Sequence, residues 1–233
     1  MRMKKATIVH GNEATSTLKM LRAMVGIGII CGLLIVLTYD GTLSRIEHLQ
    51  SEALEKAIFK VIPGITKTKT FQLSEDNSFT EIKEKNKLAQ VVYAGYDEKD
   101  KLQGIAIEAS GQGYADIIRI LYGYDPETQK IIGFYVLESK ETPGLGDKIE
   151  KDPDFLANFS SLDVSLTKDL RTLKNMVIPV KHGAKEHDWE VESITGATIS
   201  SRAIGNILDT STKKLVPLIY SNKELFSMQK KEE

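Results

Sequence analysis

Three runs decide the fold class of this chain: Gly104-Ile-Ala-Ile-Glu-Ala109, Asp116-Ile-Ile-Arg-Ile-Leu-Tyr122 and Ile131-Ile-Gly-Phe-Tyr-Val-Leu137. Each is short, rich in β-branched and aromatic residues and bounded by polar or turn-forming residues, so each reads as a strand. Asp125-Pro-Glu-Thr-Gln129 joins the last two as a hairpin loop, and a fourth run, Leu88 to Ala94, precedes them. Residues 65 to 88 are polar and irregular, with Phe71 and Phe79 placed to pin a surface hairpin. Helical spacing returns at Phe155, Leu156 and Phe159. It recurs over Ser200 to Thr210, where Ala203, Ile204, Ile207 and Leu208 share one face. Both periods in one chain predict a single α+β domain over residues 65–233. Tyr114, Tyr122, Tyr124 and Tyr135 read as sheet residues in it, and Trp189 as core.

Upstream of that domain, residues 1–22 form a basic tail with Arg2, Lys4, Lys5, Lys19 and Arg22 against Glu13 alone. Residues 23–39 follow without a charged side chain. With Leu21 and the stem of Arg22 they approach the roughly 20 residues that a bilayer helix needs. Gly26, Gly28 and Gly32 suit a membrane helix better than an aqueous one. The residues after Thr38 lack a small-x-small cleavage site, which favours an uncleaved anchor over a secretory signal. The charge bias places the N-terminus in the cytoplasm and the domain outside it, a single-pass protein of the cell (inner) membrane. Residues 40–64 read as a connecting segment, amphipathic and helical from Ser44 to Lys60, closed by Pro63-Gly64.

The 233 residues are 41% hydrophobic and 27% charged, too apolar for a disordered chain and too charged for a polytopic membrane protein. With 31 basic and 32 acidic residues there is no positive field to hold nucleic acid. The single cysteine, Cys31, excludes an internal disulfide, a cysteine zinc cluster and a complete iron–sulfur ligand set. His182 and His187 lie in a lysine-rich loop and read as surface residues, so no metal site is expected.

Two segments are candidates for chemistry. Glu141-Thr-Pro-Gly-Leu-Gly-Asp-Lys148 contains a tight Pro-Gly turn that admits close approach of a flat or anionic ligand, or is simply a structural turn. It lacks the phosphate-loop and dinucleotide patterns. Ser193-Ile-Thr-Gly-Ala-Thr-Ile-Ser-Ser201 places Gly196 and Ala197 between the hydroxyls of Thr195 and Thr198, ahead of a helix beginning near Ser200 or Ser201. It reads either as an anion receptor at a helix start or as a hydroxyl-rich cap without chemical role, and the residues alone do not single out one threonine.

Thr195-Gly-Ala-Thr198 resembles the flavinylation motif of the flavin-carrying subunits of ion-translocating electron-transport complexes, the G subunit of Rnf and the C subunit of the sodium-pumping NADH:quinone reductase. Glu141 to Lys148 is similar to the second signature of that family, and Gly111-Gln-Gly-Tyr114 to a shorter third. They occur in family order behind a one-span anchor. Two positions differ from the usual pattern: Glu192 stands where aspartate is common, and Ser139 where G subunits often carry histidine. The run Gly144 to Glu150 is closer to the Rnf branch.

The resemblance implies an FMN-binding domain with FMN linked by a phosphoester to Thr198. Thr195, Gly196, Ala197 and Ser200 would lie about its attachment, and Glu141, Thr142, Pro143, Gly144, Leu145, Gly146 and Lys148 about its ring, with no catalytic acid or base. It also implies an electron-relay subunit of a ferredoxin:NAD oxidoreductase complex that moves sodium or protons. The implied partners are the membrane and iron–sulfur subunits, a flavin-attaching transferase and membrane lipid. The alternatives are the C subunit of the quinone reductase, a stand-alone anchored FMN protein and a flavin-free scaffold.

Overall fold

The computed structural model describes residues 13–82 and 90–227. It divides at Glu52/Ala53 into two compact units. Helix α1 (Glu13–Val61) extends past that boundary, and its part in the first unit exposes every large apolar side chain from Leu18 to Tyr39. Among the described residues it is the one helix long and apolar enough to cross a membrane. A hydroxyl in such a stretch needs a partner on its own helix, and Thr38 and Thr42 donate to the carbonyls of Leu34 and Thr38 at 2.7 and 2.8 Å. The expected helix from Ser44 to Lys60 is the last part of this same element. Asp40-Gly41 does not interrupt it, since one glycine costs a helix only about 1 kcal/mol and no proline occurs before Pro63.

In the second unit, seven antiparallel strands form one sheet in the order β2-β1-β3-β4-β5-β6-β7. They are β1 (Lys67–Leu73), β2 (Phe79–Ile82), β3 (Val91–Tyr96), β4 (Leu102–Gln112), β5 (Ile117–Asp125), β6 (Lys130–Glu138) and β7 (Leu162–Asp163). Leu88 and Ala89, expected in the first central strand, lie outside the described residues. A 3-10 turn (Gly146–Glu150), α2 (Pro153–Ala157), the parallel pair β8 (Ile178–Val180) and β9 (Glu190–Glu192), α3 (Thr198–Ser221) and α4 (Lys223–Phe226) complete the unit.

The period-two alternation of strands explains how this sheet is covered on both faces. Val92, Ala94, Ile105, Ile107, Ile118 and Ile120 point into a core shared with Ile204, Leu208 and Ile219 of α3. Their neighbours Val91, Tyr93, Ala106 and Leu121 meet Ala57, Ile58, Val61 and Ile62 on the opposite face. Residues 67–82 are not irregular: β1 and β2 form the hairpin expected at Phe71 and Phe79, as the edge of the large sheet, with β1 joined to β3. Both rings are buried against Phe226, 4.9 and 5.1 Å away, a partner that the local sequence does not reveal. Trp189 is half-buried and stacked on His187 at 4.3 Å instead of lying in the core. Tyr122 and Tyr124 are buried sheet residues and Tyr135 lies in β6, whereas Tyr114 stands 65% exposed between β4 and β5.

Two cross-strand glycine pairs, Gly95 with Gly104 and Gly123 with Gly133, make the floor on which the end of α1 rests. A β-carbon on Gly95 would come within 2.8 Å of Ile65, and one on Gly123 or Gly133 would strike the Val61 carbonyl oxygen. Gly64, at φ +79°, then turns the chain towards β1. We expect Gly133→Ala to destabilise the protein by about 3 kcal/mol and lower its Tm by roughly 10 °C, because the obstacle is backbone and cannot rotate away. Thermal unfolding of the full chain in detergent checks this, and an unchanged Tm would show that the helix end is not seated there.

Candidate functional site

The segment Ser193 to Ser201 folds as a turn followed at once by a helix. The Ala197 N–H donates to the Ile194 carbonyl at 3.1 Å around Thr195-Gly196, and Gly196 sits at φ +85°, as the third residue of a type II turn must. The Ser201 N–H closes the first helical bond on the Ala197 carbonyl at 2.9 Å. α3 therefore begins at Thr198, earlier than Ser200 or Ser201, since a turn that ends on a helix-competent alanine starts the helix directly.

Packing divides the hydroxyls. Ser200 and Ser201 are buried; Ser201 Oγ donates to the Ala197 carbonyl at 2.9 Å and accepts the Ile194 N–H at 3.2 Å, stitching the turn shut. Thr195 and Thr198 are exposed. A hydroxyl-rich cap would use one of these side chains on the helix amides, but the N-cap is Ala197 and no side chain caps it. Among the described residues the amides of Thr198, Ile199 and Ser200 have no protein acceptor, which is what an anion at a helix start requires.

The second segment is tied to the first by Glu141, a side chain only 5% exposed. Its Oε1 accepts the Ala115 N–H at 3.0 Å, and its Oε2 accepts the Ser200 hydroxyl. Gly113 and Gly146 are needed against it. A β-carbon on Gly113 would strike Oε1, and one on Gly146 would lie 2.8 Å from Oε2. Downstream, Pro143 and Gly144 at φ +78° take the central places of a turn closed from the Leu145 N–H to the Thr142 carbonyl at 3.1 Å. Asp147 accepts the Gly144 N–H at 2.7 Å and pairs with Lys151 at 2.9 Å. Lys151, and then the Gly144 amide, hold the Asp147 carboxyl below the usual aspartate range, so this clip persists through neutral pH and opens only in acid.

A cavity of about 360 Å³ lies between the two segments, lined by Tyr114, Glu141, Thr142, Leu145, Gly146, Gly196, Ala197, Thr198, Ile199 and Ser200. Nine of these ten come from the two motifs and Tyr114 from the Gly111 to Tyr114 element. Pro143 and Gly144 shape the turn outside the lining. Lys148 and Thr195 are not at this cavity. They line a neighbouring one of about 210 Å³ with Asp152, Asp154, Phe155, His182, Glu192, Ser193 and Ile194. There Glu192 Oε1 accepts the Gly183 N–H at 2.6 Å and lies 2.8 Å from His182 Nδ1, so His182 has a carboxylate neighbour that its loop composition does not disclose. One turn beyond Thr198, Arg202 lines a groove with Ser110, Gln112, Ile199 and Asn206 and has no ion-pair partner among the described residues. Sequence reasoning passed over Ile199 and Arg202; their spacing of one and four from Thr198 on a helix was the available signal. A hydroxyl beside uncapped amides, opening on a cavity with apolar side chains in its walls, suits a heteroaromatic ring carrying a phosphoryl group.

Comparisons with known proteins place the chain among flavin-related sequences by similarity. The model of the family described as "FMN-binding domain" matches residues 113–213, which contain all the segments around the cavity. The chain is similar to the G subunit of the ion-translocating oxidoreductase complex of Methanosarcina acetivorans, 28% identical over 86% of this chain and 95% of that one. It resembles the corresponding protein of Shewanella piezotolerans at 28%, over 79% and 82%. Among solved structures it shares the fold of NqrC from Shewanella oneidensis (22% identical, TM-score 0.52, covering 72% and 88%). It also shares that of the C subunit of the Na(+)-translocating NADH-quinone reductase from Parabacteroides distasonis (18%, TM-score 0.58, covering 80% and 98%). The chain is homologous to the RnfG/NqrC family, at moderate identity over most of its length.

Removing the Glu141 carboxyl should loosen the cavity without unfolding the sheet. We expect Glu141→Ala to cost about 2 kcal/mol, the penalty of unmade bonds at Ala115 and Ser200. Amide hydrogen exchange should quicken at residues 113–116 and 198–201 while β3 to β5 keep their protection. Unchanged exchange in both segments would show that Glu141 does not hold them.

Proposed function

We propose that this chain is a membrane-anchored electron carrier holding FMN as a phosphoester on Thr198. Its place is an Rnf-type complex that couples ferredoxin:NAD oxidoreduction to translocation of sodium or protons. The observation that carries this reading is the separation of the two exposed threonines. Thr198 alone opens on the cavity shared with Glu141 to Gly146, and it does so as the first residue of a helix with no side-chain cap. The match of relatives described as G subunits favours the Rnf branch over the quinone-reductase branch.

When bound, FMN supplies one- and two-electron redox chemistry; the protein's part is to hold and surround it. Thr198 Oγ1 would carry the phosphoryl group, and the free amides of residues 198 to 200 would donate to its oxygens. Gly196 and Ala197 keep bulk away from the link, and the Thr142 hydroxyl would be the donor to the ring edge. Leu145 and Ile199 would shield it from water, while Pro143 and Gly144 set the turn. Lys148 and Thr195, in the neighbouring cavity, act on the charge and shape beside the attachment segment. No side chain is required as acid or base. Thr195 to Ser201 is the surface presented to a flavin-attaching transferase. The basic N-terminal tail lies in the cytoplasm and the flavin domain on the other side, beside the membrane and iron–sulfur subunits of the complex.

Protein made with its natural attachment machinery should carry one FMN, less one water, on the peptide containing Thr198, by peptide mass spectrometry. Thr198→Ala should lose that adduct and remain folded, while Thr195 variants should keep it in reduced yield. An unmodified 193–202 peptide in the presence of active transferase would overturn the reading. Co-purification of iron–sulfur subunits separates the complex-bound carrier from a stand-alone flavoprotein.

A further inference from the structure

Four large apolar side chains stand exposed at one end of the sheet: Tyr114 at 65%, Ile117 at 54%, Leu145 at 52% and Ile199 at 59%. Singly each would be unremarkable for a protein surface. Three of them, Tyr114, Leu145 and Ile199, line the same cavity as Thr198 and come from three separate segments. Tyr114 is the one aromatic residue among the lining, and among the described residues it makes neither a hydrogen bond nor a ring contact.

The backbone on either side of it, by contrast, is held. The Gly113 N–H donates to the Asp116 carbonyl at 2.9 Å, closing the four-residue turn with Tyr114 near its tip. The Ala115 N–H donates to Glu141 at 3.0 Å, the Ile117 N–H donates to Asp116 Oδ1 at 2.7 Å, and Lys140 pairs with Asp116 at 2.6 Å. A rigid backbone presenting an unpartnered aromatic ring beside an apolar cavity is a preorganised stacking platform, because little conformational freedom remains to be lost when a flat ligand docks.

We propose that Tyr114 stacks on the isoalloxazine ring and sets its orientation in the cavity, with Leu145 and Ile199 as its apolar surroundings. This rests on the reading that Thr198 carries FMN. The phenol adds a property that an aliphatic wall lacks. It can pass an electron to the photoexcited flavin and recover it on recombination, quenching emission without net chemistry, whereas a phenyl ring of the same shape is too hard to oxidise.

Flavin fluorescence lifetimes of the full-length flavinylated chain, with Tyr114→Phe and Tyr114→Ala, test this beside visible circular dichroism. Tyr114→Phe should lengthen the dominant lifetime several-fold and leave the flavin dichroism unchanged, since the stack is kept and the quencher removed. Tyr114→Ala should lengthen it likewise and also collapse the dichroism, since the ring is then free to turn. Parent-like lifetimes in both variants, each carrying the Thr198 adduct by mass spectrometry, would overturn the stacking while leaving the carrier reading intact. A parent protein without adduct after exposure to active transferase would overturn both.

Discussion

A carboxyl group removed from water must find its hydrogen bonds inside the protein, and the architecture of the cavity follows from how Glu141 meets that requirement. Its two oxygens take a backbone N–H from the turn after β4 and a hydroxyl from the first turn of α3. Its own backbone opens the Thr142 to Gly146 turn. Three segments far apart in sequence are thereby held at one point. Gly113 and Gly146 are obligatory because any side chain there would occupy the space of the carboxyl group. Ser200 is buried for the same reason, which leaves Thr198, two residues earlier on the helix, free to face outward.

The sheet explains why these segments can meet at all. β4 and β6 both run antiparallel to β5, so the turn after β4 and the chain leaving β6 emerge at the same end. α3 covers one face with Ile204, Leu208 and Ile219, and its N-terminus arrives at that end. The other face is closed by Ala57 to Ile65 above the paired glycines. A sheet buried on both faces bends little, so loops at its end have a fixed base and the site's geometry depends on a few local bonds.

Much of this was legible in the sequence. The central strands were, because alternation and turn residues act locally, and so was the apolar helix, because length and the absence of charge suffice. The two motifs around the cavity were recognisable as family signatures, and Gly144 and Gly196 as turn formers. What stayed hidden depends on partners distant in the chain. Nothing near Phe71 or Phe79 announces Phe226, nothing near Tyr114 shows that it leaves the sheet, and nothing near Lys148 shows that it faces Thr195 and not Thr198. The family resemblance implied Thr198, but the residues alone do not separate the two threonines. Both look alike in Thr-Gly-Ala-Thr, and the type II turn at Gly196 sends them towards different cavities.

The shape of the cavity also bears on why an ester suits the proposed carrier. Its walls are a few exposed apolar side chains and a glycine-rich turn, and Thr198 itself is open to solvent. So shallow a site removes little of a flavin from water, and affinity from apolar burial scales with the area removed. A site that enclosed the ring would bind it more tightly but would separate it from redox partners by its own walls. The proposed covalent link at the phosphate would resolve the conflict. It would make ring docking intramolecular, with an effective concentration set by the short ribityl tether, so that weak contacts from Tyr114, Leu145 and Ile199 would be enough to orient the ring. The demand then placed on the fold is to fix three short segments around one hydroxyl, and the bonds of Glu141 meet it.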